Sequence, residues 1–236
     1  MLDALRKDVE LLENPEKARV LRGFFKTGPG QYGEGDVFLG IVVPASRKIA
    51  KKYGDLALED VLVLLKSKIH EERLIALFIL IAQFKKGDIR IKEEIFRLYL
   101  KHTAFINNWD LVDLSADKIV GAYLEKRPKE ILYELARSES LWERRISIIS
   151  TFHFIKEGKY EDTFAVASIL LRDREDLIHK AAGWMLREVG KRCSEEAEEV
   201  FLRKHLEEMP RTMLRYAIER FSPEKRRQYL TRLHSK

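Results

Sequence analysis

Trp109, Asp110 and Asp113 are the residues whose types and spacing bear most directly on chemistry. An indole and a carboxylate four residues apart share one face of a helix. Such a pair attracts a cation in two ways. The aromatic face contributes roughly 0.5–2 kcal/mol. A carboxylate about 4 Å from a positive centre adds up to about 4 kcal/mol at an effective dielectric near 20. If that positive charge develops only in a transition state, the carboxylate alone accounts for about three decades of rate. The competing assignments are core packing for the tryptophan and a salt bridge for the aspartate. Asp110 and Asp117 lie on nearby turns, so Asp113 has like-charged neighbours and calls for a compensating cation, for which Arg145 is a candidate.

The elements that must position these residues are helices. Leu2, Leu5, Val9 and Leu12 mark one apolar stripe of helical period, and Leu74, Leu77, Phe78 and Ile81 another. Strand-like alternation is almost absent. Pro15, Pro44, Pro128, Pro210 and Pro223 each suit a first helical turn. Pro29 falls in the one long irregular stretch, the Gly-rich segment Thr27–Asp36, read as a loop.

An internal period of 35–36 residues runs along the chain. Arg73, Arg145, Lys180 and Arg215 fall 72, 35 and 35 residues apart, and the skipped register lands on Trp109 and Asp110. Two helices per repeat at this period is the pattern of an α-solenoid. Lys180–Gly190 reads as the second helix of such a unit, with small residues for close packing. The same period aligns Leu77, Asp113, Ile149, Trp184 and Glu219. The expected fold is therefore all-α, a solenoid of HEAT-like repeats forming one domain over residues 1–236. N-terminal helices and the 27–36 loop occupy 1–57, and about five helix pairs occupy 58–236. Second helices line the concave side of such a stack, so basic residues at one register would make a basic groove suited to a phosphate backbone. The alternative is that these cations pair with acids in neighbouring helices.

Composition excludes several other functions. The chain carries 44 Lys+Arg against 38 Asp+Glu, a formal +6, which suits a polyanionic partner. Cys193 is the only cysteine, which rules out an internal disulfide and a cysteine-based zinc cluster. The histidines at 70, 102, 153, 179, 205 and 234 show no His-x-x-x-His spacing, so no metal is assigned. The Gly-rich segment lacks the Gly-Lys-Ser/Thr ending of a nucleotide-binding loop and follows no strand. The longest purely apolar run, Leu74–Ala82, has nine residues, far below a membrane span. The N-terminus has no signal-peptide core. The expectation is a cytoplasmic monomer, associated with the nucleoid when acting on DNA, with no membrane partner.

Four segments carry a resemblance to a known family: Phe38–Pro44, Asn108–Asp113, Leu141–Arg145 and His179–Glu188. From about Phe24 to Tyr229 the chain resembles the AlkD-type DNA alkylation repair glycosylases, which are HEAT-like solenoids. The resemblance implies excision of cationic N-alkylated purines, such as 3-methyladenine and 7-methylguanine, from double-stranded DNA without a cofactor. It places the catalytic carboxylate at Asp113, the sugar-contacting tryptophans at Trp109 and Trp184, and the groove arginine at Arg145. Phe24, Arg47, Arg73, Lys180 and Arg187 complete the candidate DNA contacts. Three departures stand out. Asn108 replaces an aromatic residue, Phe24 stands where the family has a tyrosine, and Thr27–Asp36 replaces a shorter connection. Some relatives of this fold have lost activity, so two rivals accompany the glycosylase: a non-catalytic module for damaged or branched DNA, and a protein-binding scaffold.

Overall fold

The computed structural model describes residues 1–231, so His234 lies outside the described residues. The described residues form an all-α fold whose only strand-like pairing is a single bridge between Val37 and Ile69. The chain divides into two compact units, Met1–Ser115 and Ala116–Lys236. No helix among the described residues is long and apolar enough to cross a membrane.

The first unit contains α1 (Leu2–Glu10), α2 (Pro15–Phe24), α3 (Val43–Lys52), α4 (Leu58–Leu65), α5 (His70–Lys86), α6 (Ile89–Lys101) and α7 (Trp109–Ala116). Asn14 caps α2 by accepting from the Lys17 N–H, with Pro15 in the first turn where its missing N–H has no consequence. Asp88 caps α6 through the N–H groups of Arg90 and Ile91. The central helix is α5, which packs against α3, α4 and α6. Leu74, Ile75, Leu77, Ile79 and Leu80 are buried all round it, as expected of a helix without a polar face. Each such side chain contributes roughly 1.5–3 kcal/mol by leaving water.

The second unit opens with a π-helical turn, Asp117–Gly121, followed by α8 (Ala122–Leu124), α9 (Glu130–Leu135), α10 (Leu141–Ser150) and α11 (Phe152–Lys156). The chain continues through α12 (Glu161–Leu170), α13 (Asp176–Arg192), α14 (Glu195–His205), α15 (Arg211–Ala217) and α16 (Pro223–Thr231). Here the repeat read from the sequence takes physical form. Helices α10, α13 and α15 open at Leu141, Asp176 and Arg211, 35 residues apart, and pack in a row: α10 on α13, and α13 on α15. The preceding helices α9 and α12 pack alongside α10 and α13, whereas α14 packs against α13. Gly183 is required at the α13–α15 contact, since a Cβ there would collide with the Met213 carbonyl oxygen. Pro223 opens α16, Pro210 caps α15, and Pro128 lies just before α9.

Candidate functional site

A cavity of about 590 Å³ opens in the first unit. The C-terminal half of α2 gives it Val20, Leu21 and Phe24, and the start of α5 gives His70, Glu71 and Leu74. The first turns of α7 contribute Trp109, Asp110 and Asp113. Trp109 and Asp113 thus do line one space, one helical turn apart, and Phe24 lines the same space. The walls are mostly aliphatic and aromatic. Phe24 is 60% exposed at the edge, and Trp109 and Asp113 are half-buried.

The aromatic wall is ordered. Trp109 stacks on Phe25, with ring centres 5.2 Å apart and planes at 18°. Phe25 stacks on Phe38 at 5.0 Å, and Phe38 on the His70 imidazole at 4.5 Å. Phe24 meets the Trp109 indole edge-on at 5.8 Å. Edge-on and offset contacts of this kind are worth about 0.5–1.5 kcal/mol each beyond burial. The indole orientation is therefore set by a row of rings that ends at a titratable group.

The first turn of α5 is wholly polar and wholly buried: His70, Glu71, Glu72 and Arg73 are each 2–3% exposed. Every one of these side chains ties down a distant segment. Glu71 accepts from three consecutive backbone N–H groups, Leu39, Gly40 and Ile41, at 2.9–3.2 Å. Gly40 permits this with a φ of +86°, and a Cβ there would strike the Asn14 carbonyl oxygen of α2. Glu72 accepts from Arg6 Nε at 3.0 Å. Arg73 reaches Asp36 Oδ1 at 2.7 Å and the Ser67 carbonyl oxygen at 3.0 Å. His70 sits between two carboxylates, with Nε2 2.8 Å from Asp110 Oδ2 and Nδ1 3.3 Å from Asp36 Oδ2. Burial opposes a charge on His70, but the bonds to Asp110 and Asp36 outweigh it and raise its pKa above the ordinary value. For Asp36, burial is likewise outweighed, here by His70 and the Arg73 guanidinium, and its pKa is lowered.

These contacts revise several expectations. The repeat register points Arg73 toward DNA, but the side chain is 3% exposed and committed to Asp36 and Ser67, so it does not face DNA. The cation facing Asp110 is His70, and Asp117 pairs with Lys118 and Lys156 at 2.9 Å each. The Gly-rich segment is anchored through Asp36. Its turns are also closed by its own side chains: Gln31 Oε1 accepts from the Gly28 N–H and Glu34 Oε2 from the Gly30 N–H. The sequence pattern alone gives Asp36, His70 and Glu71 no role. The available signal was the run His70-Glu-Glu-Arg73 directly ahead of a nine-residue apolar run. A polar turn heading a helix that is apolar on every side is drawn into the core with it.

The remaining candidates occupy other places. In the first unit Arg47 is exposed on α3, its guanidinium 5.1 Å from the Phe78 ring centre. In the second unit Arg145 on α10 is 5% exposed and donates to the Leu177 carbonyl oxygen. Lys180 and Trp184 lie one turn apart on α13. Lys180 pairs with Asp176 at 2.7 Å, and Trp184 is half-buried with its ring centre 6.0 Å from that of Phe152. Arg187, a turn further on, pairs with Glu219 and Glu188. Phe152 is also approached by Lys156 at 5.0 Å and Arg192 at 5.2 Å, two cation–π contacts.

Comparison with known proteins gives two results. No curated protein matches the sequence. A solved structure described as a predicted DNA alkylation repair enzyme from Enterococcus faecalis superposes with a TM-score of 0.68 at 17% identity, over 89% of this chain and 97% of that one. At that identity the likeness speaks for the fold. The sequence model of the DNA alkylation repair enzyme family matches residues 5–221, spanning both units and every candidate residue discussed above. The chain belongs to the DNA alkylation repair enzyme family.

Proposed function

We propose that this protein is a monofunctional DNA glycosylase that removes cationic N-alkylated purines, 3-methyladenine and 7-methylguanine, from duplex DNA. The observation that carries this reading is the pairing of Trp109 with Asp113 on one wall of an aromatic cavity in a chain of this family.

An alkylated purine is already positively charged, so it leaves readily and needs little acid catalysis. As the bond from C1′ to the purine nitrogen breaks, its electron pair moves onto the base, which departs neutral. The positive charge passes to the deoxyribose as an oxocarbenium-like centre. Asp113 stabilises that centre and orients a water whose oxygen bonds to C1′. The carboxylate accepts the proton the water loses. Trp109 packs its π-face against the sugar, which favours the cationic state over the neutral one. Trp184 is assigned a second sugar contact. The more exposed Arg47, Lys180 and Arg187 are assigned to the phosphate backbone and Phe24 to the DNA surface beside Trp109, whereas Arg145, nearly as buried as Arg73, is assigned to holding the start of α13 through the Leu177 carbonyl oxygen. The enzyme acts as a cytoplasmic, nucleoid-associated monomer and needs no cofactor.

The test is release of 7-methylguanine from a defined duplex by wild type and Asp113→Asn, corrected for spontaneous loss. The expected result is clear release by wild type and a fall of about a hundredfold or more in the variant, with duplex binding retained. A single oriented charge is worth rate factors of this size. Background-level release by both proteins, alongside salt-dependent duplex binding, would overturn the glycosylase and favour the non-catalytic DNA module. Absence of salt-dependent binding would favour the protein scaffold.

A further inference from the structure

We propose that His70 is the positioning residue of this site: clamped between Asp36 and Asp110, it fixes the first turn of α7 and with it Trp109 and Asp113. The proposal rests on the reading of Trp109 and Asp113 given above, but its evidence is separate. It also assigns a purpose to the buried polar turn of α5, which the proposed chemistry leaves unused.

Two physical routes run from His70 to Trp109. The first is the hydrogen bond to Asp110, the residue next to Trp109 in the opening turn of α7. Asp110 uses its other oxygen to accept from the Leu111 N–H at 2.8 Å, so one carboxylate joins the imidazole to the helix backbone. The second is the ring row His70–Phe38–Phe25–Trp109, with centres 4.5, 5.0 and 5.2 Å apart. The same imidazole therefore holds α7 through its polar edge and the indole through its face. Asp113 follows one turn later on the same short helix and inherits that placement.

The protonation state of His70 decides whether the clamp is closed. A neutral imidazole has one N–H and can donate to one carboxylate, leaving its other nitrogen with a lone pair toward the second. Only the imidazolium donates to Asp36 and Asp110 together. Charge balance points the same way. Asp36 and Asp110 are two buried negative charges, and Arg73, at 2.7 Å from Asp36, is one positive charge. A neutral His70 would leave one buried negative charge uncompensated, which is costly. The opposing groups are the Arg73 guanidinium, 3.5 Å from Nδ1, and burial itself. Glu71, also on α5, spends its carboxylate on the Leu39, Gly40 and Ile41 N–H groups, and Asp113 adds another acid to the cavity wall. The net effect raises the His70 pKa above its ordinary 6.5. The imidazolium thus persists to higher pH than that of an ordinary histidine, and on the alkaline side of that raised pKa a single N–H is left for two carboxylates, so the two-sided clamp opens.

The test is a pH titration of the full-length protein with isotope-labelled histidine and tryptophan, read by nuclear magnetic resonance. His70 is expected to lose its proton above pH 6.5, and the Trp109 indole signal is expected to shift with the same midpoint. In Asp110→Asn the midpoint should fall, because one of the two stabilising carboxylates becomes neutral. In single-turnover excision, wild type should lose rate as pH rises through that midpoint. His70→Gln should be at least tenfold slower near pH 6.5 and lack this alkaline limb. A His70 midpoint at or below 6.5, or a Trp109 signal indifferent to it, overturns the proposal. So does a His70→Gln enzyme that keeps the alkaline limb unchanged. The wild-type titration needs no variant to fold. It also separates the two readings: linked titration without base release would retain the clamp and sink the glycosylase.

Discussion

Helices α5 and α13 are each 17 residues long, each sits at the centre of its unit, and the sequence period aligns Arg73, fourth in α5, with Lys180, fifth in α13. Yet their first turns behave in opposite ways. In α5 the turn is buried and its side chains bind partners 30–66 residues away. In α13 the turn is exposed at Asp176 and buried at Ile178, and Lys180 pairs with its own neighbour Asp176 four residues back. Alignment by the sequence period thus does not give two residues a shared role. Whether a basic side chain at that register meets solvent depends on what packs over the helix end, here the segment from Asp36 to Ile41.

The same contrast holds for two buried glutamates. Glu71 accepts from three backbone N–H groups, whereas Glu198 in α14 has Oε1 buried without a hydrogen-bond partner among the described residues and Glu195 and Glu199 nearby. Burial, then those like charges, push Glu198 up to about 9. One buried carboxylate is built into its surroundings and the other is tolerated by staying protonated.

The sharpest break of the comparison is Arg73→Met set beside Lys180→Met. The first leaves Asp36 buried without its guanidinium and is expected to cost about 3–5 kcal/mol; equal urea midpoints for the two variants would refute the distinction. Next is Glu71→Ala, which strands three buried N–H groups and is expected to cost about 3 kcal/mol, read in the same denaturation series. Its counterpart Glu198→Met should instead stabilise by about 1–2 kcal/mol near neutral pH, because it removes a poorly accommodated acid. A loss of stability there would mean that the Glu198 carboxyl is usefully bonded after all.

The pH dependence follows with its sign. His70 has a raised pKa, so its contribution to stability is complete below about 6.5 and is lost as pH rises through the folded value. Asp36 has a lowered pKa, so its contribution is present above about 3.8 and is lost as pH falls through its folded value. Melting temperature against pH should therefore peak between these limits and flatten on the alkaline side in His70→Gln. The smallest effect belongs to Lys180→Ala. A half-exposed i,i+4 pair is worth no more than about 0.5 kcal/mol, so a measured loss above 1 kcal/mol would give α13 a buried network like that of α5.

The helices were legible in the sequence, because apolar spacing and proline placement are local properties. So were the 35-residue step that α10, α13 and α15 keep, and the shared face of Trp109 and Asp113, since a four-residue spacing on a helix leaves no other choice. Packing, by contrast, sets which polar residues are exposed and which are held. The Asp36–Arg73, His70–Asp110 and Glu71–Gly40 contacts join residues 31–40 positions apart, and no local pattern specifies such a pairing. It also turned Arg73 from an expected surface charge into a buried one. A buried charge persists only where another segment supplies its partner, and that partner is chosen by packing rather than by spacing.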